Sequence, residues 1–183
     1  MNTTYIAILA VVLVVVIVGA IFVPVFARRK RSQRLQDQFG PEYDLAVQTQ
    51  GDEKKAQTEL EERQKHVEAL DIRPLSDAEQ QRYLADWATV QSKFVDEPQA
   101  ATVDADRLIM EVMQLRGYPV SNFEERAADV SVNYPALVSN YRAAREIALK
   151  NEQNQANTEE LRQAMIYYRS LFEELLATES VMA

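Results

Sequence analysis

The sequence predicts an all-α chain: a single amino-terminal transmembrane helix followed by a soluble helical bundle. Three observations carry this reading. Residues 5–27 hold no charged side chain, and Arg28-Arg29-Lys30-Arg31 follows at once. Beyond that junction, apolar residues recur at three- and four-residue spacings, the period of one face of a helix. No stretch alternates with period two for long enough to form a strand.

The run from Tyr5 to Ala27 would span about 35 Å as a helix, enough to cross a hydrocarbon core of about 30 Å with a modest tilt. Sixteen of its residues are Leu, Ile, Val or Phe, contributing on the order of −5 to −9 kcal/mol to insertion. In water the β-branched members would favour a strand. In lipid the backbone must satisfy its own hydrogen bonds, so the helix wins. A cleaved signal peptide would need a positive segment before a shorter apolar core. Here Met1 to Thr4 carries no charged side chain, and the positive cluster lies after the run.

Arg28, Arg29, Lys30, Arg31 and Arg34 set the orientation. Basic residues beside a span stay on the cytoplasmic side. The expected location is therefore a cell membrane, crossed once, with the carboxy-terminal domain in the cytoplasm. The same five side chains are the candidate membrane-surface contacts, since each adds about 1 kcal/mol of attraction near an anionic leaflet. The expected organisation is a short tail at 1–4, the transmembrane helix at 5–27, a basic juxtamembrane stalk with a charged helix at 28–70, and an α-helical bundle domain at 71–183.

Along the soluble part, Leu35 to Phe39 continues the first helix until Gly40-Pro41 interrupts it. Glu42 to Gln50 resumes as a helix, and Gly51 breaks it again. Asp52 to Leu70 follows with a thin stripe of Ala56, Leu60, Val67 and Leu70. Arg63 falls in the gap of that stripe and reads as a surface residue. The stripe covers barely two heptads, which suits a hairpin-paired helix better than an extended coiled coil. Pro74 holds Arg73 extended, so 71–75 is a connector. Ser76 with Glu79 spells a capping box. It opens a helix over 77–95 with Tyr83, Trp87, Val90 and Phe94 inward.

Pro98 starts the next helix, 99–116, which buries Ala105, Leu108, Ile109, Val112 and Leu115. Gly117 is its left-handed cap. Ser121 and Glu124 form a second candidate capping box, for a short helix to about Val130. Pro135 suits the first turn of a helix over 135–151. Asn157 or Thr158 caps the last helix, 159–177, with the clearest stripe of the chain: Leu161, Ala164, Met165, Tyr168, Leu171, Phe172 and Leu175.

Composition narrows the chemistry. The formal charge is −8. All five collar charges are positive and every acid lies beyond them, so residues 35–183 carry 15 basic against 28 acidic side chains, a net −13. Such a body repels phosphate backbones, which argues against a nucleic-acid partner. The chain has no cysteine, which removes disulfides, Fe–S clusters and thiolate zinc sites. Its one histidine is His66, and no phosphate-cradling glycine motif occurs.

Individual candidates weigh toward structural roles. Glu62 and His66 lie four apart on one helix face, a ligand spacing, but carboxylate di-iron bundles need two Glu-x-x-His pairs. An ion pair on a charged helix is the plainer reading. Asp104 and Asp106 spell a D-x-D pattern, yet residues two apart on a helix point different ways. They read as helix-start acids facing the macrodipole. Tyr118, Tyr134, Tyr141, Tyr167 and Tyr168 fall near Arg116, Arg126, Arg142, Arg145 and Arg169. That set could make an interface or ordinary core edges. Trp87 reads as core. No catalytic triad, cofactor site or metal site can be assembled from these residues.

Several stretches together resemble a known family: Arg34 to Val47 (RLQDQFGPEYDLAV), Leu70 to Leu75 (LDIRPL), Tyr83 to Asp96 (YLADWATVQSKFVD), Ala105 to Val120 (ADRLIMEVMQLRGYPV) and Phe123 to Ala144 (FEERAADVSVNYPALVSNYRAA). The chain is similar to a family of uncharacterised bacterial proteins with an amino-terminal membrane segment. The resemblance implies a bacterial source and brings no activity, cofactor or catalytic residue.

The expected role is a non-catalytic interaction or scaffold domain. It would hold membrane lipid through its anchor and a protein partner, or a second copy of itself, through its body. Two alternatives stay open: an exported, envelope-facing helical domain with an uncleaved signal anchor, and an enzyme of unrecognised type built on Tyr, Arg and carboxylates.

Overall fold

The computed structural model describes Leu13 and residues 29–177. Apart from Leu13, the apolar run 5–27 lies outside the described residues, as does Arg28. Among the described residues every regular element is helical, and no helix is long and apolar enough to cross a membrane. Residues 29–38 are helical, and a compact unit begins at Phe39.

Among the described residues, seven helices build that unit: α1 (Pro41–Gln50), α2 (Glu53–Glu68), α3 (Asp77–Lys93), α4 (Pro98–Arg116), α5 (Phe123–Asn133), α6 (Val138–Glu152) and α7 (Thr158–Ala177). Local chemistry sets most of their ends. The Ser76–Glu79 capping box forms in full, so two of the otherwise unpaired amides at the α3 start find acceptors. Asp52 accepts from the Lys55 amide to start α2. At the α7 start, Asn157 Oδ1 accepts from the Glu160 amide at 3.0 Å and Glu160 Oε2 accepts from the Asn157 amide at 2.9 Å.

Gly117 ends α4 at φ 101°, a conformation that glycine adopts freely. A side chain there would collide with the Asp71 carbonyl oxygen. That close approach belongs to the connector, whose Arg73 amide donates to the Arg116 carbonyl at 2.9 Å.

Two starts differ from the sequence expectation. The α5 cap is Asn122, not Ser121: Asn122 is extended at φ −137°, ψ 164°, and its Oδ1 accepts from the Glu125 amide at 2.9 Å. The Ser121 hydroxyl instead donates to the Glu125 carboxylate. Pro135 does not open α6. The Leu137 amide bonds the Tyr134 carbonyl at 2.9 Å, so 134–137 is a turn and the helix starts at Val138.

Helices α3, α4, α6 and α7 form a four-helix bundle, with α4 packed against α3, α6 and α7, and α7 also on α6. Hydrogen bonds between helix ends fix their directions. Arg116 at the end of α4 reaches the Leu175 carbonyl at the end of α7, so these two run parallel. Asn151 at the end of α6 donates to the Gln99 carbonyl at the start of α4, so α6 runs against both. Lys93 at the end of α3 meets Asp104 near the start of α4, so α3 is antiparallel too. Tyr141, Tyr168, Ile109, Val112, Leu171 and Phe172 are fully buried between them.

Helices α1 and α2 form a hairpin. Sequence patterning groups them with the stalk. In the structure α2 packs on α5 and α1 on α6, within the same unit as the bundle. Tyr43, Ala46, Ala56, Leu60 and Val67 are all buried there, so the thin stripe of α2 is a docking edge.

Candidate functional site

The first candidate region is a groove of about 400 Å³ between α2 and α5, lined by Glu59, Glu62, Arg63 and His66 on one side and by Glu125, Ala128 and Asp129 on the other, with Pro119. Successive turns of α2 put Glu59, Glu62, Arg63 and His66 on adjoining faces, because residues three and four apart are helix neighbours. His66 is 56% exposed, and its Nε2 lies 3.6 Å from Asp129 Oδ1. Its acidic neighbour thus comes from α5 rather than from Glu62 on its own helix.

Asp129 occupies the floor of this groove. Its side chain is only 4% exposed, and its Oδ2 has no hydrogen-bond partner. Burial pushes its carboxyl above the usual aspartate range, against the pull of His66. An ionised carboxylate left in that setting is costly.

Arg63 lies beside the groove but is occupied. Its Nη1 donates to Glu42 Oε1 at 2.8 Å, and its Nη2 to Glu59. Arg142 of α6 donates to the same Glu42 oxygen at 2.7 Å. Glu42 is 3% exposed, so one buried carboxylate of α1 joins α2 to α6. Arg63 is therefore part of a three-helix clamp, a correction to its reading as a plain surface residue. The gap it leaves in the apolar stripe is filled by a charge pair.

The second region is interior. Tyr118, Tyr134, Tyr141 and Tyr168 are buried, as are Arg116 and Arg126. This part of the tyrosine–arginine set lies inside the fold. Arg116 Nη1 donates to Tyr134 Oη at 2.9 Å and to the Leu175 carbonyl at 2.8 Å. Arg126 Nε donates to Tyr141 Oη at 3.2 Å. Tyr118 Oη accepts from Asn133 Nδ2 at 2.7 Å, and burial pushes its hydroxyl up to about 12.

Asp104 and Asp106 part company, as their spacing predicts. Asp104 turns out to Lys93 at 2.7 Å and Arg107 at 2.6 Å. Asp106 turns in, where burial raises its carboxyl and raises the hydroxyl of Tyr168, which it faces. Neither is a helix-start acid, because α4 begins at Pro98 and both lie past its first turn. Asp106 Oδ1 and Tyr168 Oη both lack a hydrogen bond of normal geometry, which marks a desolvated pair inside the bundle.

The third region is a smaller groove of about 160 Å³ between α3 and α7, lined by Trp87, Gln91, Phe94, Met165 and Ile166 and flanked by Arg162 and Arg169. The Trp87 ring lies on Phe172 beneath it, and Ile166 is 42% exposed. Arg162 Nε is held by Glu159 at 2.8 Å and Arg169 by Glu173 at 2.6 Å. Each arginine thus pairs with an exposed carboxylate of α7 itself.

Of the collar, Arg29, Lys30 and Arg34 are exposed and Arg31 half-buried on the helical segment, while Arg28 lies outside the described residues. Among the described residues no three His, Asp or Glu side chains converge closely enough to hold a metal ion. Asp129 was the residue that sequence reasoning missed. Its one signal is an acid set among Ala127, Ala128 and Val130. The local pattern does not say which helix covers it. Comparison with protein-family models, with curated proteins and with solved structures finds no match.

Proposed function

We propose that this protein is a membrane-tethered, non-catalytic interaction module of a bacterial membrane. The apolar run 5–27 anchors it, and the collar from Arg28 to Arg34 holds the helical body at the cytoplasmic surface. The partner is a protein, engaged through the groove between α3 and α7.

The observation that supports this reading most directly is the composition of that groove. A half-exposed Ile166 and a partly exposed Phe94 sit beside the buried Trp87 and Met165, between two exposed arginines. Aromatic residues and arginine are among those that protein interfaces enrich. The net −13 of the body argues against nucleic acid, and the basic collar suits an anionic leaflet.

Two measurements test the proposal. A photo-crosslinkable side chain at Ile166 should give a discrete protein adduct in intact membranes, and one at Leu149 on α6 should not. Equal adducts from both positions would remove the groove from the argument. A carboxy-terminal reporter that works only in the cytoplasm should be active. Activity of one that works only outside it would reverse the orientation.

A further inference from the structure

We infer that the groove between α2 and α5 is a binding site for an organic cation: a guanidinium or ammonium group carrying several N–H donors. This site is separate from the apolar groove of α3 and α7 and does not depend on it.

The argument begins with charge. Glu62 and Glu125 are exposed on opposite sides of the groove. Neither pairs with a basic side chain among the described residues; the Glu125 carboxylate accepts from the Ser121 hydroxyl, and the Glu125 amide donates to the Asn122 cap. Arg63 adds little free positive charge, since Glu42 and Glu59 already hold it. The groove is therefore net negative.

Asp129 is the independent observation. Its side chain is 96% buried at the groove floor, and one of its two oxygens has no donor. The neighbour it does have, His66, stands at 3.6 Å, beyond a good hydrogen bond. A buried acceptor left without a partner costs free energy that an incoming donor recovers. A cation with N–H groups supplies both the charge and the donor.

Geometry then selects the kind of cation. No three acidic or histidine side chains among the described residues converge enough for a metal ion. The carboxylates are spread over two helices, as suits a ligand whose donors are also spread. A quaternary ammonium would need a cage of aromatic faces, and no Phe, Tyr or Trp lines the groove. A volume of about 400 Å³ falls within the range of small-ligand sites. The fork of a guanidinium pairs well with carboxylates, and a polyamine would span from Glu62 to Glu125.

His66 lines the groove beside Asp129. Its Nε2 stands 3.6 Å from Asp129 Oδ1, with Glu59, Glu62, Arg63 and Glu125 as the other charged groups lining the groove.

The cation can come from a free polyamine or from a basic side chain of a polypeptide. The test uses the full chain in a neutral detergent, titrated calorimetrically with spermidine in one arm and with a short arginine-containing peptide in the other. Saturable one-to-one binding is expected in at least one arm, and the arm that binds names the source. Asp129→Asn should weaken it about ten- to a hundredfold, the range for a lost hydrogen bond to a charged group. That variant should melt no lower than the wild type, because the buried charge is gone. Glu62→Gln combined with Glu125→Gln changes only exposed positions and should weaken binding at least about tenfold. Asp96→Asn, distant in sequence and exposed, should change nothing. Absence of saturable binding in both arms, full binding by the Glu62/Glu125 double variant, or equal weakening by Asp96→Asn would each overturn the assignment.

Discussion

Trp87 of α3 stacks on Phe172 of α7, with ring centroids 4.7 Å apart and planes 20° from parallel. Both rings belong to the buried core that these helices share. Phe172 is fully buried and Trp87 is 5% exposed. Phe172→Ala should lower unfolding free energy by about 3–5 kcal/mol and Trp87→Ala by a similar amount, through lost burial and the cavity left behind. The double variant should cost less than the sum, since each single change already breaks the stack. Urea denaturation followed by circular dichroism reads all three. Additive losses would mean that the rings act independently.

Glu42 is the centre of the clamp on α1. Glu42→Ala should cost about 3–5 kcal/mol, because two half-buried guanidinium groups lose their shared counter-charge. Arg63→Ala should cost about 1–2 kcal/mol, less than Glu42→Ala because Arg142 still covers the carboxylate. That exceeds the 0.5 kcal/mol or so typical of a surface change. Arg63→Ala with Arg142→Ala should exceed the sum of the single losses. Denaturation midpoints of the four variants are the measurement, and a near-zero effect of Glu42→Ala would dissolve the clamp.

Gly117 and Gly51 both end helices with positive φ, 101° and 64°. A side chain at Gly51 meets open space, whereas one at Gly117 strikes the Asp71 carbonyl. Gly51→Ala should cost about 1–2 kcal/mol from backbone strain alone. Gly117→Ala should cost about 2–5 kcal/mol, with the collision added. Thermal melts of the two variants decide it, and equal shifts would argue against the close approach.

Glu79 and Asp106 give stability opposite dependences on pH. Arg73 donates to Glu79 at 2.8 and 2.9 Å. With help from Ser76, it holds that carboxyl at about 2, below the ordinary 4.5. The contribution is thus present above the ordinary value and lost as pH falls toward about 2. Burial raises Asp106 instead. Its contribution is present below the ordinary aspartate value and lost as pH rises through the raised one. Glu79→Gln should lower the urea midpoint at neutral pH and leave it unchanged in strong acid. Asp106→Asn should raise the midpoint at neutral pH and change little in acid. A lower neutral midpoint for Asp106→Asn would mean that the ionised carboxylate is needed inside the bundle.

Much of the fold was legible in the sequence, for a definite reason. Apolar spacing reports one face of one helix, and a cap is a contract among residues three or four apart. Both are local. The α3 box, the Asn157 cap, the Gly117 stop and the inward set of α7 from Leu161 to Leu175 follow from neighbouring residues alone. The α5 cap falls one residue beyond Ser121, because Ser121 and Asn122 can both cap and Asn122 is the one with extended backbone.

What only the tertiary structure decided is which distant group answers each buried charge. Glu42 meets Arg142 across 100 positions, Arg116 meets the Leu175 carbonyl across 59, and Asp129 lies beneath a histidine from another helix. No local pattern encodes such pairings. They are set by which helix faces come together, and a charge placed there must find its partner across the packed interface or go without one. By itself the sequence determined an apolar run with a basic collar, an acidic body and a set of helices. The clamp at Glu42, the closed interior around Asp106 and Tyr168, and the acid-lined groove over Asp129 came from packing, because burial is a property of neighbours and not of the residue itself.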